Sequence, residues 1–414
     1  MINWLCGLCL AVQLATSGAG YLERNYPASV IQDARLTTLE LLAKYRHPSE
    51  EHFVTTSDGY ILALHRIPRP GAQPVLLVHG ILDSSASWIL MGPRNGLAYY
   101  LYDSGYDVWL GNCRGNTYSR NHTSLNPSKD RAFWNFSWHE IGLYDLPAMI
   151  DKVLDATSFK KLTYYGHSQG TTVFFVMASS LPAYNDKVIL INALAPVAFL
   201  NHIKTKLVKV VRAMMALLFG KDKPMELLPR SKLMLKMCFI SKTVLNLCMN
   251  YVSRAVGGDM KKINKTMIPV ILGHLPAGSS IRQVQHYLQL IKSGRFCSFE
   301  YSPKKSMLKY GSLSPIDYNI ENITVPVALY VAENDYLTVP EDIQRLARQL
   351  SNVVAHQIFN NWNHADIIWA TNARRRLQPK MVEISKRLEY FQKPWLTTPE
   401  PQKGSKDSEE DYEE

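Results

Sequence analysis

The sequence predicts an α/β fold: a mostly parallel central sheet flanked by helices, interrupted by a helical cap and lid insertion. Three observations predict it. Short, wholly apolar runs recur, as strands covered on both faces require. Helix-length patterns alternate with them, which points to a parallel sheet. One such run, Leu162 to Tyr165, leads into Gly166-His167-Ser168-Gln169-Gly170, and a helix-compatible segment from Val173 to Ser179 follows.

That context is what the nucleophile elbow of an α/β-hydrolase needs. The chain must turn so sharply from strand to helix that the serine backbone is strained, and Gly166 and Gly170 remove side chains where strand and helix approach. Ser168 Oγ then stands exposed above a helix N-terminus, which favours developing negative charge. The pentapeptide alone could equally be a plain turn; its flanking strand and helix favour catalysis.

The N-terminus carries an apolar stretch from Trp4 to Ala15 followed by Ser17, Gly18, Ala19 and Gly20, the pattern of a signal peptide over residues 1–20. It lacks a preceding Lys or Arg, and the alternative is a buried N-terminal helix. No later stretch is apolar and long enough to span a bilayer. Of six cysteines, Cys6 and Cys9 would leave with the leader. Cys238 and Cys248 make a plausible disulfide in an oxidising compartment, and their spacing does not suit zinc. Asn121, Asn135, Asn264 and Asn322 begin glycosylation sequons, Asn135 within the aromatic cluster from Phe133 to Trp138.

In chain order, a helix-like segment around Arg35 to Tyr45 precedes two β-rich runs joined at Asp58-Gly59, a hairpin signal. The apolar strand Pro74 to Val78 runs into His79-Gly80-Ile81, a glycine turn that lets backbone N–H groups face a pocket. The Ile81 and Gln169 N–H groups are the expected oxyanion donors. Tyr106 to Leu110 is a further strand, and a helix bearing Ile141, Leu143, Leu146, Met149, Ile150 and Val153 leads to the elbow. Val188 to Val197 is the strand after it.

The rhythm then breaks. Residues 199–312 are expected to form the cap and lid, between core segments 21–198 and 313–396. Apolar helical runs there mix with bases from Lys204 to Lys242, and with Met214, Met215, Met225, Met234, Met237 and Met249. Methionines adapt to irregular apolar ligands and basic amphipathic helices bind anionic interfaces; an ordinary helical insert with solvated lysines fits the same composition. Beyond it, Asp335 closes the strand from Val325, and His364 lies in a polar loop after the strand Val354 to Phe359. Ser, Asp, His is the chain order this fold requires. The acidic segment 397–414 lacks residues for packing and should be disordered. Without it the formal charge of +11 rises further, which favours anionic lipid or acidic partners. No motif supports a nucleic-acid role.

The implied chemistry is attack by Ser168 on an ester carbonyl, with His364 as base and then acid, and Asp335 fixing the imidazole. No metal or cofactor is implied.

The chain resembles the acid lipase family of α/β-hydrolases, which includes gastric and lysosomal acid lipases. The likeness rests on HPSEEHFVTTSDGYILALHRIP from His47, then LLVHGILDSSASWI, GYDVWLGNCRGNTYSRNH, FWNFSWHEIGLYDLPAMID, YYGHSQGTT, LAPVAFL, VAENDYL and NWNHADIIWA. These run in family order from about residue 30 to about 390. The resemblance implies a secreted or lysosomal lipase with a mobile lid, acting on triacylglycerol or sterol esters at an emulsion or membrane interface. It carries nucleophile, acid and base onto Ser168, Asp335 and His364, the oxyanion donors onto Ile81 and Gln169, and a lid disulfide onto Cys238 and Cys248. A third lid cysteine of some relatives has no counterpart near Val256. Cys113 stands where several relatives have serine. A carboxylesterase for small soluble esters and a non-catalytic lipid-binding protein are the competing readings; the second usually loses a triad member, and none is missing here.

Overall fold

The computed structural model describes residues 20–392 except 206–207, 210–212, 214–223, 232–235 and 257–259. The expected leader up to residue 19, the acidic tail, and Met214, Met215 and Met234 of the expected cap lie outside the described residues.

The chain begins with helices α1 (Ala28–Asp33) and α2 (Thr38–Lys44). The sequence reading has one helical segment from about Arg35. Thr37 instead starts α2: its side chain accepts the Glu40 N–H while Glu40 accepts the Thr37 N–H, a reciprocal cap that satisfies two orphan donors. Strands β1 (Glu50–Thr55) and β2 (Tyr60–Ile67) then form an antiparallel hairpin turning at Asp58-Gly59. Next come β3 (Pro74–Val78), helix α3 (Leu97–Asp103), β4 (Asp107–Gly111), the short β5 (Asn121–His122), helix α4 (Leu146–Thr157), β6 (Leu162–His167), helix α5 (Gln169–Ser180) and β7 (Val188–Leu194). Ahead of α4, Ser137 and Glu140 form a second reciprocal cap, and the helix opens into a π-turn over Ile141–Asp145.

Between β7 and the next long strand lie the pair β8 (Glu226–Leu227) and β9 (Ser279–Ser280), helix α6 (Lys242–Val256), helix α7 (Ile281–Ser293) and helix α8 (Pro303–Tyr310). The sheet resumes with β10 (Val327–Ala332), helix α9 (Pro340–Gln349) and β11 (Val353–Phe359). Helix α10 (Gln378–Gln392) follows. The main sheet runs β1-β2-β4-β3-β6-β7-β10-β11, with β5 on β2; pairing is parallel from β4 through to β11.

Alternation along buried β3 explains why both faces need cover. Val75 and Leu77 join one apolar core with Leu97 and Leu101 of α3 and Met381 of α10; Leu76 and Val78 join the other with Met149 of α4 and Phe174 of α5. Side chains at successive strand positions point to opposite faces, so a sheet with two apolar faces must sit between two helical layers. A third, smaller cluster packs Leu22 and Ile31 against Cys238, Phe239 and Leu245, and Cys238 is disulfide-bonded to Cys248. Cys113 and Cys297 are buried, unpaired thiols.

Candidate active site

Ser168 joins β6 to α5 with φ 51° and ψ −116°, a region that side-chain-bearing residues rarely occupy. The flanking glycines explain how the turn fits. A Cβ on Gly166 would lie 2.8 Å from the Gly170 carbonyl carbon, and one on Gly170 only 2.2 Å from the Val78 carbonyl oxygen. Both obstacles are backbone and cannot rotate away. Gly170→Ala is therefore expected to destabilise the fold by about 3 kcal/mol and to lower turnover, because it forces α5 off the strand leading into His79-Gly80. Urea unfolding with steady-state rates checks this; an unchanged midpoint would refute the packing argument.

Asp335, at the turn after β10, and His364, in the loop after β11, come together from 29 residues apart: His364 Nδ1 lies 2.7 Å from Asp335 Oδ2. Asp335 is almost wholly buried. It also accepts the Leu337 and Thr338 N–H groups at 2.8 and 2.9 Å and the Thr338 hydroxyl at 2.5 Å. Oδ2 is the acceptor of the His364 bond and Nδ1 its donor, a tautomer in which Nε2 is the ring's acceptor nitrogen. The loop is held by Asn363, whose Oδ1 accepts the Ala365 and Asp366 N–H groups, and by Asp366, whose carboxylate accepts the Asn363 N–H. His167 Nε2 reaches the His364 carbonyl at 3.3 Å, which sets the His364 loop beside the elbow.

Gly80 lies on the other side of the serine, where a Cβ would stand 3.4 Å from Ser168 Cβ. Neither the Ile81 N–H nor the Gln169 N–H donates to a backbone acceptor among the described residues. Both belong to the two turns that meet at Ser168.

Residues around this loop went unassigned in the sequence reading. His79 Nδ1 donates to the Gly80 carbonyl at 2.8 Å, while its Nε2 accepts the Cys113 N–H at 3.2 Å and Asn116 Nδ2 at 3.1 Å. Burial pushes the His79 pKa down to about 4, which keeps the ring neutral and its Nε2 an acceptor. Arg114 is buried between Asp145 (Nε to Oδ1, 2.6 Å) and Asp58 (2.6 and 2.8 Å), and its guanidinium lies over the Tyr60 ring. The only sequence signal was the polar run Gly111 to Asn116 after an apolar strand. Ala277, in the segment between β7 and β10, reaches the same loop: its N–H donates to the Leu82 carbonyl at 2.7 Å.

Asp83, next to Leu82, is buried, takes the Ser84 N–H at 2.7 Å and has no ion-pair partner among the described residues. Burial pushes its carboxyl up to about 7. Below about pH 4 both folded and unfolded states hold the proton. Above it the unfolded chain ionises first, so this group's contribution to stability falls as pH rises, until the folded carboxyl also ionises near 7. Asp83→Asn is expected to flatten the decline of the melting temperature between pH 4 and 7; a parallel decline in mutant and wild type would exclude it.

A strained, glycine-flanked serine between strand and helix, with a carboxylate-bound histidine at the strand ends, defines an α/β-hydrolase. Residues 73–371 match the alpha/beta hydrolase fold family and residues 38–92 the partial alpha/beta-hydrolase lipase region. The chain is 45% identical to Lipase 1 of Drosophila melanogaster over 365 residues, covering 87% of this chain and 82% of that protein. It is 38% identical to gastric triacylglycerol lipase of Bos taurus over 368 residues, covering 85% and 91%. Among solved structures, a proposed lipase from Sulfolobus solfataricus shares the fold with a TM-score of 0.55 at 14% identity, covering 79% of this chain and 90% of that one. The chain belongs to the lipase family of α/β-hydrolases and is a carboxylic ester hydrolase. No helix among its described residues is long and apolar enough to cross a membrane.

Proposed function

We propose that the chain is a serine lipase for neutral lipid esters, triacylglycerol or sterol ester, which it meets at an emulsion or membrane interface, with no role toward nucleic acid. The observation that carries the reading is the Asp335 carboxylate, which takes His364 Nδ1 and leaves Nε2 as the ring's acceptor in the loop that His167 bonds to beside Ser168. In the first step His364 Nε2 takes the Ser168 proton as Oγ bonds to the ester carbonyl carbon. The oxyanion is held by the Ile81 and Gln169 N–H groups. His364 then returns the proton to the leaving alcohol, and an acyl-Ser168 ester remains. Water, deprotonated by the same nitrogen, releases the fatty acid and restores the serine.

Residues 199–312 act as the cap and lid of this site, and the Cys238–Cys248 disulfide closes a loop within them. Emulsified triolein, assayed beside soluble p-nitrophenyl butyrate, tests the substrate class. Hydrolysis of both supports a lipase, and hydrolysis of the soluble ester alone points to a carboxylesterase.

A leader over residues 1–20 and entry to the secretory pathway, ending in secretion or the lysosome, complete the reading. Asn121, Asn264 and Asn322 are exposed, whereas Asn135 is half-buried and its Oδ1 accepts from Arg282. Peptide mass mapping is expected to find glycan at the three exposed sites and bare Asn135; a fully occupied Asn135 would contradict this.

A further inference from the structure

The residue immediately before the nucleophile does more than continue β6. His167 is buried, and its ring lies 4.9 Å from that of His364. Its Nε2 is 3.3 Å from the His364 backbone carbonyl. A carbonyl oxygen only accepts, so Nε2 must carry the proton and Nδ1 must be bare. Nδ1 is buried without a hydrogen-bond partner, and a Cβ on Gly80 would come within 3.3 Å of it. No donor therefore competes to reverse the tautomer, and desolvation holds the ring well below the ordinary imidazole range, so it stays neutral.

This bond joins two parts of the chain 197 residues apart. Local contacts with Asn363 and Asp366 shape the His364 loop, and Asp335 fixes one ring nitrogen. The sheet order β6-β7-β10-β11 and the Asn334 N–H bond to the Trp362 carbonyl place the loop near the β6–α5 turn. The His167 bond adds a direct link, because it runs from the neighbour of Ser168 to the backbone of His364 itself.

We propose that His167 is a positioning residue that, as an Nε2–H donor, helps set the distance and orientation of His364 relative to Ser168. It touches neither substrate nor transferred proton. The proposal rests on the reading of Ser168 and His364 as nucleophile and base. Small displacements of a base from its nucleophile slow chemistry far more than they weaken substrate binding.

The test compares His167→Phe, His167→Gln and His167→Asn with wild type and Ser168→Ala on p-nitrophenyl butyrate, with thermal melts of each. Gln can place an N–H close to the imidazole Nε2 position; Asn reaches only about as far as Nδ1; Phe keeps the ring and loses both nitrogens. Phe is expected to lower kcat by about 10- to 100-fold with KM within about twofold, and Gln to restore most of that loss. Equal kcat for folded Phe and wild-type proteins, or a folded Gln variant as slow as Phe, would overturn the proposal. If the Phe variant does not fold, Gln against Asn decides: Gln well above Asn supports the donor role, and equal rates overturn it. Activity surviving in Ser168→Ala would instead sink the triad reading on which the proposal stands.

Discussion

Ser168→Ala is expected to lower ester hydrolysis by roughly 10⁴- to 10⁶-fold while leaving the melting temperature nearly unchanged. The two halves of this expectation have different causes. Removing Oγ removes the atom that would bond to the carbonyl carbon, and the Thr171 hydroxyl beside it is already held by the Ser168 carbonyl and the Val197 N–H. Alanine keeps the same Cβ, so the strain at φ 51° and the backbone bond from Ser168 N to the Leu194 carbonyl are carried over. The residual rate would come from the Ile81 and Gln169 donors and from substrate binding. Initial rates on both triolein and the soluble ester, with a melt of each protein, check it. A mutant within tenfold of wild type would remove Ser168 from the chemistry.

Asp335→Asn should lower kcat by roughly 10³- to 10⁴-fold with little change in fold. Asparagine has the same shape, but one of its two heads is a donor. Its oxygen can still take the Leu337 and Thr338 N–H groups, which contact Oδ1. The amide nitrogen then occupies the Oδ2 position, 2.7 Å from His364 Nδ1. Two donors cannot share that contact, so His364 must shift its proton to Nε2, and the nitrogen proposed to accept from Ser168 can no longer do so. The Thr338 hydroxyl can rotate to accept from the new amide, so stability should hold. Steady-state kcat, with near-ultraviolet circular dichroism to verify packing, is the measurement. A variant with unimpaired kcat would show that Asp335 does not orient the base.

Much of this site was legible without coordinates, for a local reason. The elbow needs two glycines at fixed distances from a serine, because steric limits act between near neighbours in the chain; the structure shows what each would strike. Asp335 and His364 could be picked out because strand ends follow from runs of apolar residues. The Asp58-Gly59 hairpin was visible from turn chemistry alone, and so were the strands on either side.

What tertiary structure decided was pairing across long separations. The order β4-β3-β6 in the sheet cannot be read from strands in sequence. The reciprocal cap at Thr37 fixes the start of α2 at Thr38, a boundary that the helix-like segment around Arg35 to Tyr45 does not mark. The π-turn at Ile141–Asp145 widens the helix that periodicity predicts; there Gly142 packs on Val176, and Asp145 meets Arg114 from 31 residues away. His79 and His167 read in the sequence as ordinary members of a turn and a motif. Burial keeps both neutral, and contacts made only in the folded chain select opposite tautomers for them: Nδ1–H in His79 and Nε2–H in His167. The sequence by itself determined which residue types meet at the site and in what order. Only packing decided which nitrogen of each histidine donates, because a hydrogen-bond partner is chosen by distance in space and not by distance along the chain.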